Sequence, residues 1–231
     1  RLIGVSWARR CVEETEVDVI MGSGRVLPGK KVEVSTNEGS SQVLEAPHII
    51  IATGARSRAL PNIPQDGEKI IGYREAMTLK TLPKKMVVVG SGAIGVEFAY
   101  FYNSIGVDVS IIEYQDRIAP VEDKDVSKQL ERSFKKQGIT VKTNSEVLSA
   151  DTSGKGCIVN VKTKKGEEKI ECDVVLSAVG VVANIENIGI EDVGIVTDKG
   201  KIIVNDFYVT NIPGYYAIGD CVPGQSLAHV A

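Results

Sequence analysis

The sequence predicts an α/β fold built on parallel strands joined through β-meanders, and three observations carry that expectation. Continuous apolar runs at His48–Gly54, Met86–Gly90 and Asp173–Gly180 each end at a glycine, the pattern of strands buried on both faces of a parallel sheet. A glycine turn, Gly90-Ser91-Gly92-Ala93-Ile94-Gly95, lies between one of these runs and a helical stripe. Short alternating runs punctuated by turn residues precede both His48–Gly54 and Asp173–Gly180, so one layout occurs twice.

Leu2, Val5, Ala8 and Val12 have roughly helical spacing, which predicts a helix over 2–15. Val17–Met21 alternates until Gly22-Ser23-Gly24 breaks it. Lys31–Ser35, the turn Asn37-Glu38-Gly39 and Ser41–Glu45 then read as a meander feeding the run that ends at Gly54. Pro61, Pro64 and Pro83, with Gly67 and Gly72 between them, predict a connector with little regular structure and a domain boundary near residue 80.

Met86–Val89 begins a second unit. After the glycine turn, Ile94, Phe98, Phe101 or Tyr102, and Ile105 mark one helix face, and Gly106 stands where a helix-ending glycine belongs. Val107–Ile112 is the next strand, with Glu113 at its C-terminal end. Asp123 caps a helix whose face is Val126, Leu130 and Phe134 and whose stop is Gly138. Ile139–Lys142 is a strand. Residues 145–171 form a second meander, with turns at Ser153-Gly154-Lys155-Gly156 and Lys164-Lys165-Gly166, ahead of Asp173–Gly180. Beyond it, Ile202–Val204, Tyr208–Thr210 and Tyr215–Ile218 read as short strands, the last delivering Asp220. The C-terminal ends of strands are where open α/β sheets place ligand contacts.

Composition narrows the function. Across 231 residues, 27 Lys+Arg against 30 Asp+Glu leave a charge of −3 with the signs interspersed, which argues against a nucleic-acid or membrane-surface partner. Hydrophobic residues at 43% and charged residues at 25% describe a globular protein, and no apolar stretch approaches the ~20 residues that span a bilayer. The cysteines at 11, 157, 172 and 221 form no CxxC or CxxH, and His48 and His229 lie far apart, so no metal site is expected. These thiols read as structural and place the chain in a reducing compartment, cytoplasm or organelle matrix. No GxSxG elbow is present.

The glycine turn carries the chemistry. Gly90 permits the tight turn, Gly92 lets backbone approach a pyrophosphate, and Gly95 lets helix and strand pack closely. The helix N-terminus offers N–H groups and partial positive charge to the phosphates. Glu113 stands where a carboxylate accepts hydrogen bonds from both adenosine ribose hydroxyls and repels a 2′-phosphate, and Tyr114-Gln115 supplies no arginine, so NAD is expected over NADP. Glu97 has two readings, an acid stabilising the helix dipole or a carboxylate beside the nicotinamide. Thr53-Gly54 and Gly219-Asp220 are, taken singly, ordinary turn pairs. The layout also reads residues 1–80 as the back half of a second nucleotide-binding domain.

Ala52-Thr53-Gly54-Ala55, Gly90 to Glu97, Glu113, Asp116-Arg117-Ile118, Ala217-Ile218-Gly219-Asp220 and Leu227-Ala228-His229 occur in one order that resembles the flavin-dependent pyridine nucleotide-disulfide oxidoreductases over nearly the whole chain. The resemblance is nearest to the branch that oxidises dihydrolipoamide. It implies a Rossmann-like FAD/NAD(P)-binding fold with β-meander crossover, in which a complete NAD domain is nested in a partial FAD domain: FAD pieces at 1–78 and 197–231, NAD domain at 79–196. Carried over residue by residue, Gly90, Ser91, Gly92, Ala93, Ile94, Gly95, Val96 and Glu97 would wrap NAD, with Glu113 on its ribose and Val147 and Gly180 lining the cleft. Gly24, Thr53, Gly54 and Ala55 would touch FAD, Asp220 its ribityl or phosphate region, and Ser226, Leu227, Ala228 and His229 would lie near the isoalloxazine, His229 chiefly through its main chain.

Some family features lack counterparts. The reactive CxxxxC pair, the first GxGxxG and the catalytic His-Glu pair are absent, and Val181-Val182-Ala183-Asn184 stands where many relatives place an arginine after the glycine. The chain is thus expected to be an internal piece carrying no catalytic residue of the thiol half-reaction. The whole protein would pass electrons from dihydrolipoamide through a disulfide and FAD to NAD⁺, as a homodimer within 2-oxo acid dehydrogenase complexes. The alternatives are another NADH-using flavoprotein, such as an NADH oxidase, mercuric reductase or CoA-disulfide reductase, and a non-catalytic NAD-sensing domain.

Overall fold

The computed structural model describes residues 17–36, 38–227 and 229–231; the helix expected over 2–15, Cys11, Asn37 and Ala228 lie outside them. Two compact units divide the chain, a terminal unit of Arg1–Ala55 with Ala183–Ala231 and a central unit of Arg56–Val182.

In the terminal unit, β1 (Gly22–Leu27), β2 (Lys31–Thr36) and β3 (Ser41–Glu45) form an antiparallel meander. Gly22 and Gly24, expected to break a strand, instead lie inside β1, where a Cβ on Gly22 would collide with the Ser35 carbonyl. Val17–Met21 forms no strand and is exposed. β4 (Ile49–Ile51) follows and departs from the expectation of burial on both faces: Ile49 and Ile51 are buried, but Ile50 is 62% exposed.

β5 (Ala55–Ser57) carries the chain into the central unit. There, β6 (Ile70–Ile71), α1 (Tyr73–Ala76), β7 (Lys85–Val89), α2 (Ala93–Ser104), β8 (Asp108–Ile112), α3 (Lys124–Lys136) and β9 (Thr140–Lys142) are followed by the meander β10 (Glu146–Asp151), β11 (Cys157–Thr163), β12 (Gly166–Cys172) and then β13 (Val174–Ser177). The parallel sheet has the order β6-β13-β7-β8-β9. Because side chains alternate along a strand, Val88, Ile111 and Leu176 pack with Tyr102 and Phe134 of the helices, while Val87, Val89 and Val175 pack with Val159 and Val161 of the meander. Both faces of this sheet are covered.

The helices refine the expected stripes. On α2, Tyr102 rather than Phe101 turns inward, its hydroxyl donating to the Ala76 carbonyl at 2.5 Å, while Phe101 and Ile105 are exposed. Asp123 caps α3 by accepting from the Asp125 N–H at 2.8 Å, but Val126 is exposed and Ser127 takes the buried position, Oγ donating to the Ala119 carbonyl at 3.1 Å. Residues 127, 130 and 134 share the face that 126 misses by a helical step.

β14 (Val181–Ala183) returns the chain to the terminal unit, which adds α4 (Ile190–Val193), β15 (Thr197–Asp198), β16 (Lys201–Ile202) and β17 (Tyr215–Ala217), the last pairing parallel to β4. Of the strands expected at Ile202–Val204 and Tyr208–Thr210, the first reduces to a two-residue strand and the second to one bridge, Val209 to Tyr216.

The units change over at 55/56 and 182/183, where the sequence places the boundaries at 78/79 and 196/197. The reason is burial. Ile63, Ile70, Ile71 and Ala76 from the proline-marked stretch enter the central cores, and Ile185, Ile190 and Ile195 enter the terminal one. The repeated layout is present in both units, as a three-stranded meander leading into a parallel-paired strand. Among the described residues no helix is long and apolar enough to cross a membrane.

Candidate functional site

Parallel strands β7, β8 and β13 bring three segments to one end of the central sheet: Gly90 after β7, Glu113 after β8 and Gly180 beyond β13. A cavity of ≈ 480 Å³ opens there, lined by Gly90, Ser91, Gly92, Glu113, Val147 and Gly180 among others.

Gly90 and Gly95 are each required by a close backbone contact, and Gly92 is not. Gly90 adopts φ +95°, and a Cβ on it would lie 2.5 Å from the Ala178 carbonyl oxygen. A Cβ on Gly95 would collide with the Gly90 carbonyl, so the helix rests directly on its own turn. Gly92, the N-cap of α2, has nothing within 4 Å of where a Cβ would stand. Packing does not require glycine at 92; the open cradle is what an approaching pyrophosphate needs, beside N–H groups that have no acceptor within the helix. The open space at Gly92 beside the α2 N-terminus suits a phosphate group.

Glu113 is only 6% exposed and is tied into that turn. Its Oε2 accepts from the Ser91 N–H at 2.8 Å and the Ser91 hydroxyl at 2.6 Å, and its Oε1 accepts from the Gln115 N–H at 2.8 Å. A carboxylate has about four acceptor positions, so about one remains for a ribose hydroxyl. A second ribose hydroxyl requires the Ser91 hydroxyl to turn away, a refinement of the expectation that Glu113 serves both.

Six of the expected residues thus meet in the cavity. Ala93, Ile94, Gly95 and Val96 form the first turn of α2 behind it. Glu97 is the fifth residue of that helix and exposed, outside both the first turn and the cavity wall. The cavity also holds residues that sequence reasoning passed over. Asn62 donates through Nδ2 to the Val147 carbonyl at 2.7 Å and the Leu148 carbonyl at 3.1 Å, and Ser145 donates its N–H to the Glu113 carbonyl at 2.9 Å. Asn62 sits between Pro61 and Pro64 in what reads as connector, and its partners are 85 and 86 residues away. No local signal marks it.

In the terminal unit, β4 and β17 run parallel with Ile51 opposite Ala217, so Thr53-Gly54 and Asp220 follow neighbouring strands at the same end. Gly54 adopts φ +65°, and Asn184 holds the turn by donating Nδ2 to the Thr53 carbonyl at 3.0 Å and its N–H to the Gly54 carbonyl at 2.9 Å. Ala55 is buried behind them, and Asp220 lies half-buried in a short 3₁₀ turn. A strand-end carboxylate can accept hydrogen bonds from hydroxyls such as those of a ribityl chain. Gly24 lies in β1 opposite Val34, in the meander rather than at these strand ends. Ser226, Leu227 and His229 are exposed.

A covered parallel sheet with a glycine turn, a helix N-terminus and a buried strand-end glutamate at one cavity is a Rossmann-like nucleotide-binding fold. The family model described as pyridine nucleotide-disulphide oxidoreductase matches residues 7–231, and the chain belongs to that family. It is 41% identical over 227 residues to a dihydrolipoyl dehydrogenase of Zymomonas mobilis, spanning 98% of this chain and 49% of that protein. Against a leghemoglobin reductase of Glycine max it is 39% identical over 222 residues, spanning 95% and 42%. The crystal structure of LpdA from Mycobacterium tuberculosis superposes with a TM-score of 0.79 at 34% identity, covering 93% of this chain and 46% of that one. A flavoprotein disulfide reductase of Escherichia coli, RclA, shares the fold at a TM-score of 0.83 and 23% identity, covering 96% of this chain and 50% of that one. The chain spans about half the length of the curated relatives it matches.

Proposed function

We propose that the central unit, residues 56–182, binds NAD(H) in preference to NADP(H), and that the terminal unit supplies part of an FAD site in a dihydrolipoyl dehydrogenase. One observation carries this reading. Glu113, buried at the end of β8, is fixed by Ser91 of the glycine turn, so the acid that meets the ribose and the cradle that meets the pyrophosphate are locked together. A 2′-phosphate would bring a second negative charge against that carboxylate at low local dielectric. Bound NAD⁺ supplies the hydride acceptor of the family's chemistry. The residues' own part is positional: Gly92 and the α2 N-terminus hold phosphate, Glu113 orients ribose, and Val147 walls the cavity. The whole protein's substrate would be dihydrolipoamide, with a homodimer in 2-oxo acid dehydrogenase complexes as its assembly. The 41% identity to the Zymomonas enzyme supports this.

The test is calorimetric titration of the 231-residue chain with NADH and NADPH. NADH should bind more tightly. Glu113→Ala should weaken NADH by about ten- to a hundredfold, the value of a charged hydrogen bond, and NADPH far less. Equal losses for both would refute the ribose role. The chain should show no lipoamide turnover and retain no stoichiometric flavin; an absorbance near one flavin per chain would refute the latter.

A further inference from the structure

Outside the nucleotide sites, the central meander holds an unusual pair. We propose that Cys157 and Cys172 are an oxidisable dithiol, a modification site at which low-molecular-weight disulfides install a cross-strand disulfide. This proposal does not rest on the nucleotide reading above.

Cys157 opens β11, Cys172 closes β12, and the two are register partners. Directly opposed residues of an antiparallel ladder have Cα atoms about 4.5–5.5 Å apart, inside the roughly 4.4–6.8 Å that a disulfide bridges. Both side chains enter the same core, among Val159, Val161 and Val175. The two thiols face each other electrostatically, and no disulfide joins them. Cys157 Sγ also lies 3.8 Å from the Lys69 and Asp173 carbonyl oxygens, whereas Cys221, likewise buried, lies closer to its carbonyls, 3.1 Å from Ile218 and 3.5 Å from Ile51, and stands in a 3₁₀ turn rather than in a ladder.

The pair is also approachable. Cys172 closes the edge strand β12 and Cys157 opens the central strand β11, at the end of the ladder opposite the Lys164-Lys165 turn. A cavity of ≈ 400 Å³ reaches it, lined by both cysteines, Lys85 and the Ser153–Gly156 turn. Burial pushes both thiols up, Cys172 to about 12. At Cys157 the Lys69 ammonium and the Cys172 S–H work against that rise, while the Asp66 and Asp173 carboxylates add to it.

The exchange balances. The Cys157 sulfur attacks one sulfur of R–S–S–R, forming a mixed disulfide and releasing R–S⁻, which takes up the proton Cys157 lost. Cys172 then loses its proton, attacks the Cys157 sulfur and expels the second R–S⁻, which is protonated in turn. Two S–H bonds are replaced by one S–S bond, and two electrons reduce the oxidant to two R–SH.

The experiment incubates the native chain with glutathione disulfide, unfolds it in the presence of an alkylating reagent and maps the cysteines by mass spectrometry. Two of the four thiols should be lost without added glutathione, a single cross-link should join the peptides of Cys157 and Cys172, and circular dichroism should be unchanged. Cys172→Ser should instead trap a glutathione adduct on Cys157. Four alkylated thiols after prolonged native incubation would overturn the proposal. So would a cross-link through other cysteines, or one between Cys157 and Cys172 that forms only in urea.

Discussion

β4 and β13 begin as the same kind of sequence, an apolar run entered from a meander and ended by a left-handed glycine, Gly54 at φ +65° and Gly180 at φ +101°. Their surroundings differ. β13 lies between β6 and β7, with Val175 and Leu176 wholly buried on opposite faces by the meander and the helices. β4 pairs with β17 and leaves Ile50 62% exposed. An apolar run therefore encodes a strand able to be buried on both faces. What covers each face is decided by other segments of the chain.

The largest effect separating the two strands should come from truncating them. Leu176→Ala should cost about 2–5 kcal/mol, the range for deleting a buried leucine side chain. Ile50→Ala, at an exposed position, should stay within about 0.5 kcal/mol. Urea denaturation followed by circular dichroism measures both, and similar costs would mean that the β4 face is covered after all.

Glycine substitutions sharpen the contrast at the strand ends. Gly90→Ala places a methyl against the Ala178 carbonyl as well as straining a φ of +95°, and should lose NADH binding together with more than about 2 kcal/mol of stability. Gly54→Ala meets nothing within 4 Å, so it should cost only the left-handed strain of about 1 kcal/mol.

A smaller effect concerns the approach to β6. Burial raises the Asp66 carboxyl, but the backbone N–H groups of Glu68, Lys69 and Ile70, at 2.8–2.9 Å, outweigh it and hold the carboxyl below its ordinary value. A depressed folded value stabilises the fold above the ordinary carboxylate range, and that contribution disappears as pH falls through the folded value. Asp66→Asn should therefore differ from the parent at pH 6 in urea midpoints and converge with it as pH falls below the depressed Asp66 value. A difference independent of pH would refute the ionic origin.

These comparisons show why parts of the molecule were readable from sequence. The turn 90–95, the Asp123 cap and the second meander depend on neighbours a few residues away, and each stands where its pattern places it, whereas the first meander takes Gly22–Leu27 as a strand in place of Val17–Met21. The 56–78 stretch is different. Its prolines disguise two isoleucines that form the outer strand of the parallel sheet, and that role exists only because β13, a hundred residues later, pairs with them. Asn62 and the Ser91 grip on Glu113 are likewise tertiary. Glu113 itself was legible by its place after β8, but its partly filled acceptor positions were not.

Hydrogen–deuterium exchange of the chain with and without NADH tests the central claim most directly, because it reads both strand ends in one experiment. The account predicts slowed exchange at 89–92, 113–115 and 178–180, around the cavity at the ends of β7, β8 and β13, and at 145–147, where the chain enters β10. It predicts no change at 52–55 and 218–221. Protection at the β4 and β17 ends instead, with the glycine turn unaffected, would contradict it.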